Sequence, residues 1–210
     1  VILDISPRVS ARTGVFPGDV AFSQDVQLDF AKGHNLKLSS IRSTVHIGAH
    51  ADAPSHYERT GCDIADADLS RYFGACEVVR AEVSRGMRVG RAHLPLDWKP
   101  AAPRILFFTG SFPDPDKWNA DFCSLEPALV EYVASHGAVL VGIDTPSVDP
   151  EDSKVLESHS AIARADLAIL EGLVLSHVPE GVYFLCAAPL KLEGLDASPV
   201  RAVLLRDCAI

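Results

Sequence analysis

The segment His46-Ile-Gly-Ala-His50-Ala-Asp52-Ala-Pro-Ser-His56 constrains this chain more than any other. It gathers three of the eight histidines of a 210-residue chain around one carboxylate. Imidazole nitrogen and carboxylate oxygen together suit zinc and other borderline divalent metals, whereas an all-oxygen set would point to Ca²⁺ or Mg²⁺. Cysteine is absent from the cluster, which weakens a zinc-finger interpretation. In a strand, positions 46, 48, 50 and 52 share one face. His50 and Asp52 would then lie about 6.5 Å apart, close enough for one ion, while His46 and His50 would be roughly 13 Å apart. The segment must therefore bend. Gly48 supplies the backbone freedom for this, and Pro54 prevents continuation as an ordinary helix. An isolated histidine is usually solvent-facing or a satisfied polar group in a turn; three with an aspartate in so short a stretch point to a metal site. The pattern leaves open whether the ion is structural or catalytic.

The rest of the chain predicts an α/β fold. Val1–Ile5 has the character of a short strand, and Phe22–Lys37 of one or two extended pieces. Arg104–Thr109 is a β-rich run, Leu125–His136 has helical apolar spacing closed by Gly137, and Ala138–Ile143 is another strand. Strand, helix, strand in that order makes a β-α-β unit, whose strands end at a common crevice where Asp144-Thr-Pro-Ser147 would lie. A second helix is expected over Ser158–Ala165, and late strands over Val182–Leu190 and Val200–Leu205. Asp144 reads as a turn cap, and Arg201 as a surface partner for an acidic group. Neither a linker nor a repeat divides the sequence, so one domain over residues 1–210 is expected.

Composition narrows the partners. With 28 acidic and 19 basic residues the formal charge is -9, which argues against a nucleic-acid backbone as the main partner. The apolar stretches are too short to span a bilayer, and no signal-peptide pattern is visible. The five dispersed cysteines, Cys62, Cys76, Cys123, Cys186 and Cys208, read as reduced thiols, so a cytoplasmic location is expected. There is no G-x-S-x-G elbow, Walker A motif or dinucleotide fingerprint, and Ser55 beside His56 does not by itself make a nucleophile–base pair.

Read with later segments, the chain resembles the bacterial kynurenine formamidases within the metal-dependent cyclase family. The family pattern His-x-Gly-Thr-His-x-Asp-x-Pro-x-His is matched from His46 to His56, with Ala49 in place of Thr. The narrower resemblance continues through Val141–Asp149, Ser153-Lys154, His159, Ile169–Val174, Val178–Gly181, Pro189–Leu192 and Asp196–Val203, and so covers almost the whole chain. It implies a swivelling β/β/α-type fold, a homodimer whose loops help shape the active sites, and two divalent ions per subunit, with zinc expected. His46 and His50 would bind the first metal, Asp52 would bridge, His159 would bind the second, and Glu171 would contact both. Taken alone, His159 and Glu171 would pass for ordinary boundary residues.

The resemblance further implies hydrolysis of N-formyl-L-kynurenine to L-kynurenine and formate. Two ions lower the pKa of a water and stabilise developing negative oxygen, and His56 would carry the proton from that water to the arylamine nitrogen. Family members commonly have Trp before the Pro-Gly-Asp of the first loop, in contact with substrate, where this chain has Phe16 before Pro17-Gly18-Asp19. Phe can cover an aromatic ring but lacks the indole N–H, so the exchange bears on substrate preference. Alternatives are a related aryl-amide or lactam hydrolase of the same family, and, further off, a non-catalytic metal-binding protein.

Overall fold

Residues 106 and 108 of the run Arg104–Phe108 face one apolar cluster, and residues 105 and 107 face another. A strand buried on both faces needs a cover on each side, and this requirement organises the molecule. The computed structural model describes residues 1–206. In chain order its elements are β1 (Ile2–Asp4), β2 (Ser23–Leu28), β3 (Leu38–Arg42), β4 (His50–Asp52), α1 (Pro54–Tyr57), β5 (Phe73–Arg80), β6 (Arg88–Val89) and β7 (Arg104–Phe108). These are followed by β8 (Ser124–Leu125), α2 (Pro127–Ser135), β9 (Leu140–Ile143), α3 (Glu157–Arg164), β10 (Ala168–Leu170), β11 (Gly181–Cys186), β12 (Ala197–Pro199) and β13 (Val203–Leu205).

Seven strands form one sheet in the order β1-β13-β11-β5-β7-β9-β10. The half from β5 to β10 is parallel, with α2 connecting β7 to β9 and α3 between β9 and β10; the other half is antiparallel. The expected α/β class is thus observed, and the expected β-α-β unit lies within the parallel half. Leu129, Val130 and Val133 of α2 and Ala161 and Ile162 of α3 cover one face, packing on Ile105, Phe107, Val141 and Ile169. The other face is covered by Ile64, Tyr72, Leu173 and Leu175 together with Ala51 of β4. β4 and β12 make a separate antiparallel ribbon, as do β2 and β3.

The structure corrects several boundaries. The central strand β5 went unrecognised in the sequence, because its segment FGACEVVR mixes buried and exposed positions without clean alternation. The strand expected to reach Leu190 ends at Cys186: Ala187 N–H turns to the Tyr72 carbonyl and Leu190 N–H to Ser198 Oγ. The strand expected from Val200 begins at Val203, since Val200 N–H still bonds to Ala49 as the chain crosses from the ribbon to the sheet. The extended pieces expected over residues 22–37 are strands 23–28 and 38–42, separated by a short 3₁₀ turn. Arg201 pairs with Asp4, as read from the sequence. Cys62, Cys76 and Cys123 carry free thiols, and Cys208 lies outside the described residues. No helix among the described residues is long and apolar enough to cross a membrane.

Candidate metal centre

The bend demanded by the histidine spacing occurs where Gly48 adopts φ 60. It turns the chain into β4, so His50 and Asp52 are buried strand residues while His46 sits ahead of the bend. Pro54 then occupies the first turn of α1, where its missing N–H costs nothing, and the helix carries His56. β4 is flanked by two segments from far along the chain. His50 and Glu171 exchange backbone hydrogen bonds of 3.1 and 2.9 Å, and Asp52 lies opposite Ala197 of β12. Gly172, at φ 64, makes the first approach possible, because any Cβ there would overlap the Gly48 carbonyl.

These contacts bring all six expected polar site residues together. Asp52 Oδ1 lies 3.0 Å from His46 Nδ1 and 3.6 Å from His50 Nε2, while Oδ2 lies 3.4 Å from His159 Nε2. Glu171 Oε2 is 3.2 Å from His50 Nε2, and its Oε1 is 3.7 Å from His159 Nε2. The His46 and His56 rings lie 4.3 Å apart. Two groups have ligand atoms within 4.8 Å of one another: His46, Asp52 and His56, and His50, Asp52 and Glu171. Asp52 is common to both.

The donor set fits divalent cations. His50 Nε2, His159 Nε2 and both Asp52 oxygens are buried and make no hydrogen bond. Leaving one such atom unsatisfied costs about 1–3 kcal/mol. The other ring nitrogens, by contrast, are committed. His50 Nδ1 bonds to the Gly48 carbonyl at 2.9 Å and His159 Nδ1 to Asp149 Oδ2 at 2.8 Å, so each ring presents Nε2 inward. Burial opposes a charged His46, yet the adjacent Asp52 carboxylate and the hydrogen bond to Asp196 raise it to about 9. Burial is likewise outweighed at His159, which Asp149 and Asp52 raise to about 10. His50 is raised against its burial by Glu171 and Asp52. Asp52, which burial alone would raise, is held well below the usual carboxylate range by His159 and His46. The basin is negative enough to demand cations, whether protons or metal.

Sequence reasoning missed the groups that hold these ligands in place. Asp149 accepts from the Ser158 and His159 backbone N–H groups at the start of α3 and is paired by Arg88 at 2.8 Å. Asp196 Oδ2 lies 3.1 Å from both His46 Nε2 and His56 Nδ1. Their partners are 9 to 150 positions away, so local spacing carries no signal for them. Asp144 caps the turn at residues 109–110, accepting from Thr109 N–H, Gly110 N–H and the Thr109 hydroxyl.

The basin opens into a cavity of 460 Å³. His46, His56, His159 and Glu171 form its floor, and Phe16, Trp118, Pro146 and Leu156 belong to its walls. Phe16 packs edge-on against Trp118 at 5.7 Å. Trp118, also unnoticed in the sequence, is held by Phe112 and Phe122 and donates its indole N–H to Glu151 at 2.5 Å. Leu156 has a left-handed backbone, φ 49 and ψ 59, a conformation costing on the order of 1–3 kcal/mol for such a residue.

A model of the family described as putative cyclase matches residues 3–150. The chain belongs to this cyclase family. Within it, the chain is 44% identical over 201 residues to the kynurenine formamidase of Delftia acidovorans (strain DSM 14801 / SPH-1), covering 96% of this chain and 95% of the relative. It is also 44% identical over 209 residues to the kynurenine formamidase of Paracidovorax citrulli (strain AAC00-1), covering 97% and 96%. A solved structure described as a potential metal-dependent hydrolase with cyclase activity superposes with a TM-score of 0.80 at 27% identity, covering 97% of this chain and 96% of that one. At 44% identity over nearly the whole of both chains, the chain is a close homologue of bacterial kynurenine formamidases within the cyclase family, and its buried donor cluster is consistent with a metal-dependent hydrolase.

Proposed function

We infer that this protein hydrolyses N-formyl-L-kynurenine to L-kynurenine and formate, using two divalent ions, with zinc as the expected metal. The observation that carries the reading is the set of unsatisfied buried donors on the floor of an aromatic-walled cavity, in a chain 44% identical to two kynurenine formamidases. A cavity of 460 Å³ falls within the range of about 300–1,000 Å³ usual for small-molecule sites. His46 and His50 would hold one ion and His159 the other, with Asp52 and Glu171 contacting both. Bound there, the ions supply Lewis-acid polarisation and a water of lowered pKa.

The remaining work falls to side chains. Phe16 and Trp118 take the aryl ring between apolar walls, leaving the formyl group over the histidine floor. His56 donates its Nδ1–H to Asp196, so its Nε2 is the atom that accepts a proton from water. The C–N bond of a formanilide breaks only if the arylamine nitrogen is protonated as it leaves. His56 Nε2 returns the proton there, so that one base serves both halves of the reaction.

The same reading takes the protein as a cytoplasmic homodimer. The β2–β3 hairpin supports the dimer, because it exposes Phe30 at 65%, Leu38 at 52% and Ile41 at 72%. Sedimentation velocity tests it directly: a dimer is expected, and a monomer at micromolar concentration rejects it. For the activity, zinc-replete protein is offered N-formylkynurenine, other aryl formamides and cyclic amides, with product followed optically and formate measured. Formate release fastest with N-formylkynurenine supports the proposal. Preference for the cyclic amides would move the assignment to a lactam hydrolase.

A further inference from the structure

We propose that Asp196 is a positioning residue that sets the tautomer and orientation of two histidines at once, His56 for proton transfer and His46 for metal ligation. The inference rests on the proposed formamidase reading only for its kinetic consequence; the geometry stands without it. A single oxygen, Asp196 Oδ2, lies 3.1 Å from His56 Nδ1 and 3.1 Å from His46 Nε2. A carboxylate oxygen only accepts, so both ring nitrogens carry hydrogen. In the neutral imidazole that a metal ligand or a base must be, this leaves the opposite nitrogen as the lone pair. For His46 that is Nδ1, which faces Asp52 Oδ1 at 3.0 Å within the metal basin. For His56 it is Nε2, on a ring lining the cavity.

The carboxylate is itself anchored through the backbone. The Asp196 carbonyl accepts from Ala53 N–H at 2.8 Å, directly between Asp52 and the helix turn bearing His56. The next residue, Ala197, pairs with Asp52 across the β4–β12 ribbon. The residue that fixes the two histidines is thus the immediate neighbour of the one in register with the carboxylate common to both ligand groups. A shift of β12 would disturb all three together. His56 sits on one turn of helix with its side chain about one-third exposed; the His46 and His159 rings lie 4.3 and 5.8 Å from its ring, and Asp196 supplies the hydrogen bond that distinguishes its two nitrogens.

Asp196→Ala and Asp196→Asn separate geometry from charge: Asn keeps an acceptor oxygen but not the charge. Three quantities are measured on the same metal-loaded samples: zinc affinity by chelator competition, kcat and KM with N-formylkynurenine, and histidine tautomers by long-range ¹H–¹⁵N spectra. In the parent protein His56 should show one tautomer, protonated at Nδ1. In Asp196→Ala it should become a mixture, with kcat lowered about 10- to 100-fold, the usual scale for removing a group that orients a functional histidine, while KM changes less than about twofold. Asp196→Asn should fall between. Zinc affinity should weaken as His46 loses its fixed orientation. A single unchanged His56 tautomer in both variants, with kcat within about twofold of the parent, overturns the proposal. If kcat falls but is restored by excess zinc, with the tautomer unchanged, Asp196 serves His46 alone and the dual role is wrong. The spectra require no substrate, so a parent protein inactive on every formamide would refute the proposed function while leaving the Asp196 test intact.

Discussion

The floor and the walls of the cavity are built on opposite principles. In the floor and directly beneath it, His159, Glu171, His50 and Asp52 are almost completely buried, and three of the four have a second group fixing the side chain: Gly48 for His50, Asp149 for His159 and the Val148 N–H for Glu171. On the walls, Phe16 is 46% exposed and leans on Trp118, and Leu156 comes from a left-handed turn. The floor is preorganised so that a cation or a developing charge meets donors already in place, and rearrangement there is costly. Apart from the Trp118 indole bond to Glu151, the walls hold their shape by apolar and ring contacts, which tolerate change. Chemistry should therefore fail when the floor is altered, and substrate choice should drift when the walls are.

The sharpest way to break that contrast is at Asp52. Asp52→Ala should lower metal content toward one ion or none and reduce activity by several kcal/mol of transition-state stabilisation, on the order of a thousandfold. Elemental analysis and kinetics on one preparation check it; full metal content with near-parent activity would remove Asp52 from the centre of the floor. His56→Asn comes next. It should retain both ions and lower kcat by roughly a hundredfold to ten-thousandfold with a smaller effect on KM. His56 also lies within ligand distance of His46 and Asp52, so loss of an ion with recovery on adding metal would make it a ligand instead.

The walls should respond more mildly. Phe16→Ala should raise KM and loosen discrimination among aryl formamides, costing about 1–3 kcal/mol, while Phe16→Trp should sharpen it. Kinetics unchanged across the panel would place Phe16 outside the working cavity. The smallest effect expected is on pH dependence. In the metal-free chain His46 and His159 are raised to about 9 and about 10. Their contribution to stability is complete below about pH 6.5 and is lost as pH rises through about 9–10. Metal uptake expels those protons, so its affinity runs the other way and strengthens with pH. Between pH 6.5 and 9 the metal-free Tm should fall by a few degrees while that of the zinc-loaded protein holds, on the scale of about 2–4 °C per kcal/mol for a chain of this size. Parallel Tm curves for the two forms would show that protons and metal do not compete for the floor.

How much of this was legible depended on distance along the chain. The cluster from His46 to His56 and the need for a bend at Gly48 could be argued from spacing, because their partners lie within one short segment. The unit Arg104–Phe108, α2, Leu140–Ile143 was visible for the same reason: its apolar periodicity is local. β5 was not, since Glu77 sits in mid-strand with its carboxylate bonded to Trp98 and Ala101, and only tertiary contact makes that position tolerable. Asp149 and Asp196 fall inside segments that carry the family resemblance, but like Trp118 they act through partners remote in sequence, so the local pattern assigns them no role. His159 and Glu171 entered only through the family resemblance, and the structure supplies the reason they matter: the strand bridge at Glu171 and the cap at α3 aim them at Asp52.

The strand order has a consequence for how such a chain is made. β1 has β13 as its neighbour in the sheet, and β4 is paired along the ribbon by β12, so the beginning of the chain waits for residues 197–205 before it is held. Pairings so distant in sequence close slowly, after the local β-α-β units have formed. A nascent chain arrested between residues 171 and 196 already carries His46, His50, Asp52, His159 and Glu171, yet lacks the carboxylate behind His56 and the strand that docks β1. In such a fragment β4, which carries His50 and Asp52, still lacks its ribbon partner, so the ligands are present in the growing polypeptide before they are held in place.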